Sequence, residues 1–352
     1  MVKRVCLVSS GTGGHLLPAV MLANALRESG REPVLLTEGR RAERVLLERY
    51  PYRAETLAFE RGRLSMPMRL FGATVRARRF LRRERIDLVV ATGGRTTVPV
   101  GLAAKSLHLP VALMEQNVVP GRANRMMFPF AERVYLGLPT DKLPRRGVVM
   151  GTPLRPEVGN VDRGEARRSL GLAGDVAVVF VTGGSQGAQV LNEIVPAALC
   201  QLRRPLQVIH LCGADVDQAV RMRYAEGEDY GVAALVRCHA FDMATLYSAA
   251  DLVVCRGGGG TVAELAAAGR SAVIVPYPHH KDRQQFFNGK LLERAGAAVV
   301  VEQCSLTSAS LAALVESLLR GERPVKMGAR ARALAKSDTC SRIMEDLETL
   351  GG

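Results

Sequence analysis

The sequence predicts an α/β protein made of two similar halves, each built on a parallel sheet. Three observations carry this reading. Short β-branched runs alternate with Ala/Leu/Arg-rich stretches along the whole chain. Glycine clusters follow those runs at matching places in the two halves. The length, 352 residues, suits two domains at roughly 150 residues each.

In chain order, Val5–Val8, Val34–Thr37, Leu88–Ala91 and Val111–Met114 read as buried strands of the first half. Ala177–Thr182, Gln207–Leu211, Leu252–Cys255 and Ala272–Pro276 read the same way in the second. Helical patterns lie between them, over Leu17–Ser29, Asp162–Leu170, Ala188–Leu202 and Thr261–Ala268. Strands alternating with helices imply parallel sheets with right-handed crossovers. Gly151-Thr-Pro-Leu-Arg155-Pro156 interrupts the pattern and places a boundary there. The expected domains are 1–155 and 156–337, followed by an amphipathic helix at about 338–352. The halves echo each other in Val8-Ser-Ser-Gly-Thr-Gly-Gly-His15 and Val181-Thr-Gly-Gly-Ser-Gln-Gly187, and again in Val90-Ala-Thr-Gly-Gly-Arg-Thr96 and Val254-Cys-Arg-Gly-Gly-Gly-Gly-Thr261. This points to two Rossmann-like domains with parallel sheets facing a cleft, where ligands bind beyond the carboxyl ends of the strands.

Composition narrows the class. Apolar residues are 47% and charged residues 23%, which excludes wholesale disorder. No apolar run reaches the roughly 18 residues of a membrane span. The N-terminal apolar run, Val5–Val8, is too short for a signal-peptide core, so a mature cytoplasmic chain is expected. The seven cysteines contain no Cys-x-x-Cys pair, so buried free thiols are expected rather than a disulfide framework or a zinc ribbon. The net charge of +14 is lopsided: residues 1–155 hold 27 Lys+Arg against 12 Asp+Glu, and the remainder 21 against 22. The first half is built to face something anionic, whether nucleic acid, a membrane or a phosphorylated substrate.

A strand–glycine turn–helix offers backbone N–H groups and a positive helix end to phosphate. Four such turns in matched positions suggest a pyrophosphate ligand or two phosphorylated substrates. Gly11-Thr-Gly13-Gly14-His15-Leu16 lacks the third glycine of a dinucleotide fingerprint, and no P-loop pattern occurs. A sugar nucleotide therefore fits better than NAD or ATP.

Gly11-Thr-Gly-Gly-His15-Leu-Leu-Pro18, Glu115-Gln-Asn117, Gly183-Gly-Ser-Gln-Gly-Ala188 and His280-Lys-Asp-Arg-Gln-Gln285-x-x-Asn288 strongly resemble the MurG family of N-acetylglucosaminyltransferases. The resemblance runs in the same order from Val5 to about Glu348. It implies the GT-B fold, with the C-terminal helix returning to the first domain. It also implies inverting, metal-independent transfer from UDP-GlcNAc to lipid I (undecaprenyl-pyrophosphoryl-MurNAc-pentapeptide), with no cofactor. The place of action implied is the cytoplasmic face of the bacterial inner membrane, as a peripheral protein.

His15, at a helix start whose positive end favours a neutral imidazole, is a general base for the acceptor hydroxyl or a histidine capping a turn. Glu115 shares that role or orders a loop. Thr12, Gly13 and Gly14 belong to the first turn, on the substrate side. Glu264 takes the ribose hydroxyls or only favours a helix N-terminus. Gly260 and Thr261 sit at that helix start, and Arg256 is a further candidate or a surface charge. Gly184 and Ser185 are expected at the pyrophosphate. Arg155 is a counter-charge for departing UDP or an interdomain salt bridge. The resemblance assigns Gln284 and Gln285 to GlcNAc hydroxyls with Asn288 close by, Asn117 to the GlcNAc from the other domain, and backbone around Ala240 to uracil. His279 and His280 are adjacent and lack a third ligand, so no metal site is expected.

Arg61 to Arg85 holds nine arginines and one acid, Glu84. Met66, Leu70, Ala73, Ala77, Phe80 and Leu81 form one helical stripe, and Arg69, Arg76, Arg79 and Arg83 another. This is either a core-packed helix with a solvated basic face or a helix that docks on an anionic membrane surface. Departures from the family pattern are Arg95 at a usual Tyr, Met114 at a usual His, Thr152 at a usual Asn, and Gly257–Gly260 in place of Ser-Gly-Ala-Leu. The glycine run predicts weaker nucleotide affinity, through the entropy of ordering it. The competing readings are a related UDP-sugar transferase with another acceptor, a nucleic-acid-binding protein and an NAD-dependent oxidoreductase. With no Trp and 5% aromatic residues, stacking platforms are scarce and no nucleic-acid partner is expected.

Overall fold

The computed structural model describes residues 2–11, 13–58, 65–141, 143–336 and 338–350. Thr12 and Arg61, singled out above, lie outside the described residues. The chain splits into two compact units, Met1–Leu154 with Lys336–Gly352, and Arg155–Ala335.

The first unit carries strands β1 (Arg4–Val8), β2 (Glu32–Thr37), β3 (Ala54–Thr56), β4 (Leu88–Ala91), β5 (Val111–Glu115), β6 (Arg133–Leu136) and β7 (Gly147–Val149). The second carries β8 (Val178–Thr182), β9 (Leu206–Leu211), β10 (Val232–Arg237), β11 (Leu252–Cys255), β12 (Ser271–Ile274) and β13 (Ala298–Val300). The sheet orders are β3-β2-β1-β4-β5-β6-β7 and β10-β9-β8-β11-β12-β13, and the pairings are parallel. Both are doubly wound sheets of the Rossmann type. In each, the strand order reverses at one place, between β1 and β4 and between β8 and β11. The crossovers there leave in opposite directions, which opens a crevice at the carboxyl ends.

The central strands are apolar at nearly every position because both faces are covered. In β1, Val5 and Leu7 join a core with Leu16, Val20 and Leu22 of the helix Gly13–Glu28, whereas Cys6 and Val8 face Phe80, Leu81 and Val100. The five strands without a clear sequence signal are β3, β6, β7, β10 and β13. Four of them are sheet edges, where one-sided burial leaves a weak pattern. The helix Thr339–Leu350 belongs to the first unit. Ile343 and Leu347 pack into its core, and Asp346 accepts from Arg133 Nε at 2.7 Å and Tyr135 Oη at 2.8 Å. All seven cysteines are free. No helix among the described residues is long and apolar enough to cross a membrane.

In the second unit, β9 buries His210 completely. Its Nε2 faces Asn192 Oδ1 at 3.0 Å and its Nδ1 faces the Tyr224 hydroxyl at 2.9 Å. Because an amide oxygen only accepts, Nε2 carries the proton and Nδ1 accepts from the tyrosine. Burial pushes this imidazole down to about 4, so folding holds it neutral. Its contribution to stability is fully present above the unfolded value of about 6.5 and is lost as pH falls toward 4, up to about 3 kcal/mol. Urea unfolding at stepped pH should show this loss between about pH 6.5 and 4, attenuated in His210→Gln. An identical pH profile in the variant would remove His210 as its source.

Candidate active site

The glycine turns sit at the two switch points. In the first unit the turns after β1 and β4 interlock. Ser10 N donates to Gly93 O at 3.2 Å, and Thr96 N donates to Ser10 Oγ at 3.2 Å. Gly94 has φ +90°, and a Cβ there would lie 2.1 Å from Ser10 O, so only glycine fits. One amide of the first turn is already taken: Gly11 N donates to Glu43 Oε1 at 2.9 Å, and Glu43 is buried. This corrects the expectation that the turn offers its N–H groups unpaired. Gly13 and Gly14 open the helix Gly13–Glu28 with space around both.

His15 stands in the first turn of that helix. Its Nδ1 lies 3.0 Å from Gln116 Oε1. Glu115, at the end of β5, is buried, and both oxygens are occupied. Oε1 accepts from Asn117 N and Nδ2 at 3.0 Å, and Oε2 from Gly121 N at 2.8 Å and Asn124 Nδ2 at 2.9 Å. Four donors converge on this one carboxylate, so Glu115 orders the loop from Asn117 to Asn124. Asn117 is held by that same carboxylate. Arg95, exposed on the second turn, reaches Glu38 at 3.8 Å. Met114 is buried in β5 and Thr152 is buried near Gly137.

The second unit gathers Arg155, Phe241, Tyr247 and Glu264. Arg155 Nη1 donates to Phe241 O at 2.8 Å, and its Nη2 lies 3.5 Å from Glu264 Oε1. Tyr247 Oη donates to Glu264 Oε2 at 3.0 Å. Burial pushes the Glu264 carboxyl above its ordinary range, against the pull of Arg155 and Tyr247. Arg155 therefore pairs inside the second unit, and it ties the Ala240–Phe241 segment to Glu264. Tyr247 carried no sequence signal, since an isolated Tyr in an apolar helix reads as core.

Gly184 and Ser185 are exposed after β8, with Gly184 at φ +86°. Gly258 caps the helix Gly259–Ala268, so Gly260 and Thr261 lie in its first turn and Glu264 one turn on. The run Gly257–Gly260 is thus partly helical. Arg256 is buried, not a surface charge. Its Nη1 donates to Val275 O and Pro276 O at 3.1 and 3.2 Å, and burial lowers its pKa. Gln284, Gln285 and Asn288 share the helix Gln284–Arg294. Gln285 Oε1 accepts from Tyr277 N at 2.9 Å, and the fully buried Asn288 donates to Gly257 O at 3.0 Å. Asn288 thus ties this helix to the glycine turn. His279 and His280 each pack edge-on against Tyr277. Among the described residues no three His, Cys, Asp or Glu side chains are grouped to hold a metal.

Two Rossmann-like units, each a parallel doubly wound sheet with polar groups gathered at its own switch point, make a protein of the GT-B fold class. Family models described as "Glycosyltransferase family 28 N-terminal domain" and "Glycosyltransferase family 28 C-terminal domain" match residues 5–136 and 178–343. A Nitrosospira multiformis protein is 37% identical over 98% of both chains, and a Neisseria meningitidis serogroup C protein is 37% identical over 97% of both. Both are named UDP-N-acetylglucosamine–N-acetylmuramyl-(pentapeptide) pyrophosphoryl-undecaprenol N-acetylglucosamine transferase. The crystal structure of Acinetobacter baumannii MurG matches with a TM-score of 0.83 at 31% identity, covering 99% of each chain. The chain belongs to glycosyltransferase family 28.

The turn geometry separates its glycines. A Cβ on Gly257 would lie 2.2 Å from Gln285 O, whereas Gly260 has open space around it. Gly257→Ala should cost about 1–3 kcal/mol by forcing the neighbouring helix away, and Gly260→Ala should be neutral or add up to about 1 kcal/mol. Melting temperatures of the two variants check this, and equal losses would sink the distinction.

Proposed function

We propose that this chain transfers GlcNAc from UDP-GlcNAc to the MurNAc C4 hydroxyl of lipid I, with inversion, to form lipid II for peptidoglycan. The observation that carries the reading is its end-to-end relationship to transferases of that name, at 36–37% identity over at least 97% of both chains.

The residues suit the chemistry. His15 Nε2 takes the hydroxyl proton as the oxygen attacks the anomeric carbon, and the bond to UDP breaks. Gly13 and Gly14 serve the acceptor side. In the second unit, Glu264, held by Tyr247 and Arg155, takes the ribose hydroxyls, and backbone at Ala240 takes the uracil. Ser185, Gly260 and Thr261 offer N–H groups to the diphosphate, whose growing negative charge they stabilise as UDP leaves, and Gly184, whose own N–H donates to Thr182 Oγ1 at 3.3 Å, shapes the turn that presents Ser185. Arg155 adds positive charge on the nucleotide side. Gln284 and Gln285 serve the GlcNAc hydroxyls, as does Asn117. Glu115 acts by shaping the loop that carries Asn117, and Asn288 by holding the glycine turn. UDP release should depend on a lipid I analogue in micelles and fall at least about 100-fold in His15→Ala. Glu264→Ala should chiefly raise the KM for UDP-GlcNAc. Acceptor-independent turnover, or full activity in His15→Ala, would overturn this scheme.

The lipid acceptor requires a membrane surface, and the helix Met66–Arg83 suits one. Its buried side is Ala73, Ala77, Phe80 and Leu81, whereas Met66, Met68 and Phe71 are exposed. Met66 thus leaves the core stripe and joins an outward apolar edge among arginines. Such an edge inserts at the interface while the arginines meet anionic headgroups. On this reading the protein acts peripherally at the cytoplasmic face of the inner membrane, with no nucleic-acid partner. Sedimentation with anionic vesicles should exceed that with zwitterionic ones, weaken with salt, and drop in a Met68→Ser/Phe71→Ser double variant. Undiminished binding by that variant would move the docking surface elsewhere.

A further inference from the structure

We propose that Gln116 is a positioning residue whose side-chain carbonyl sets the tautomer of His15, leaving the Nε2 lone pair for the acceptor hydroxyl. The proposal rests on the reading of His15 as the base.

Gln116 Oε1 lies 3.0 Å from His15 Nδ1. An amide oxygen only accepts, so the neutral ring carries its proton on Nδ1 and its lone pair on Nε2. The ring is also fixed from two other sides. A Cβ on Gly93 would lie 2.8 Å from Cε1 and 2.9 Å from Nδ1, and one on Gly11 would lie 3.5 Å from Cδ2. The charged groups on these surrounding segments are engaged elsewhere: Glu43 with Gly11 N and Arg40 N, Glu115 with its four donors, Arg95 beside Glu38. Among the described residues no carboxylate is hydrogen-bonded to the ring, so orientation comes from a neutral amide.

Gln116 is built to hold still. It is 3% exposed. Gly137 N donates to Glu115 O at 2.7 Å, and a Cβ on Gly137 would lie 3.2 Å from Gln116 Cα. Yet Gln116 Nε2 is buried without a hydrogen-bond partner. A buried unpaired amide nitrogen costs stability, a cost that packing alone does not explain. A residue whose carbonyl directs a catalytic ring explains it.

The test is nitrogen NMR of the full chain labelled with [¹⁵N]-imidazole histidine, above the histidine titration range, with the His15 signals assigned by His15→Asn. Protonated Nδ1 and bare Nε2 are expected at His15. Gln116→Leu should mix the two tautomers and lower kcat about 10–100-fold with the donor KM within about twofold. Gln116→Glu should keep the tautomer and move the acidic limb of the pH–rate profile up by about one unit, because a carboxylate stabilises the imidazolium. A wild-type ring protonated on Nε2, or a tautomer and pH profile indifferent to both substitutions, overturns the proposal. If Gln116→Leu does not fold, the wild-type spectrum and Gln116→Glu still decide. Full activity in His15→Ala with the tautomer as expected would instead overturn the base assignment alone.

Discussion

The close approach of backbone to backbone at the two switch points is the constraint on which the candidate site depends. Ser10 O stands where a side chain on Gly94 would go, and Gln285 O stands where one on Gly257 would go. These contacts let neighbouring turns share hydrogen bonds and bring the groups beyond β1 and β4, or β8 and β11, to one crevice in each unit. Without glycine at those positions, His15 would lose the wall formed by Gly93, and the helix carrying Gln284 and Gln285 would move off the turn before Glu264.

Each site carboxylate has been given a partner before any ligand arrives. Glu43 holds Gly11, Glu115 holds the segment from Asn117 to Asn124, and Glu264 is braced by Tyr247 and Arg155. Glu264 combines burial with a neighbouring cation and a hydroxyl donor. The two others set loop geometry. Buried polar groups settled in this way make a rigid frame, because breaking one bond strands its partner in a low-dielectric interior.

Some of this was legible in the sequence. Continuous apolar runs such as Leu88–Ala91 and Leu252–Cys255 read as strands because both faces of a parallel sheet are covered. The edge strands Ala54–Thr56 and Ala298–Val300 did not, because half-exposed segments of three residues carry too little pattern. The glycine turns could be found, since their spacing after strands is local. The buried state of Arg256 could not, because its hydrogen-bond partners, Val275 O and Pro276 O, come from the next strand and the turn after it.

The sequence by itself determined the α/β class, the four glycine turns, the uneven charge of the halves and the family resemblance, all of which are written in neighbouring residues. Tertiary structure alone decided which polar groups are spent and which remain for chemistry. Glu115 became a loop brace once Asn117, Gly121 and Asn124 folded around it. Arg155 turned to Phe241 and Glu264, 86 and 109 residues away. Gln116 met His15 across 101 residues. Hydrogen bonds act over about 3 Å, and only the folded sheets bring such distant residues that near.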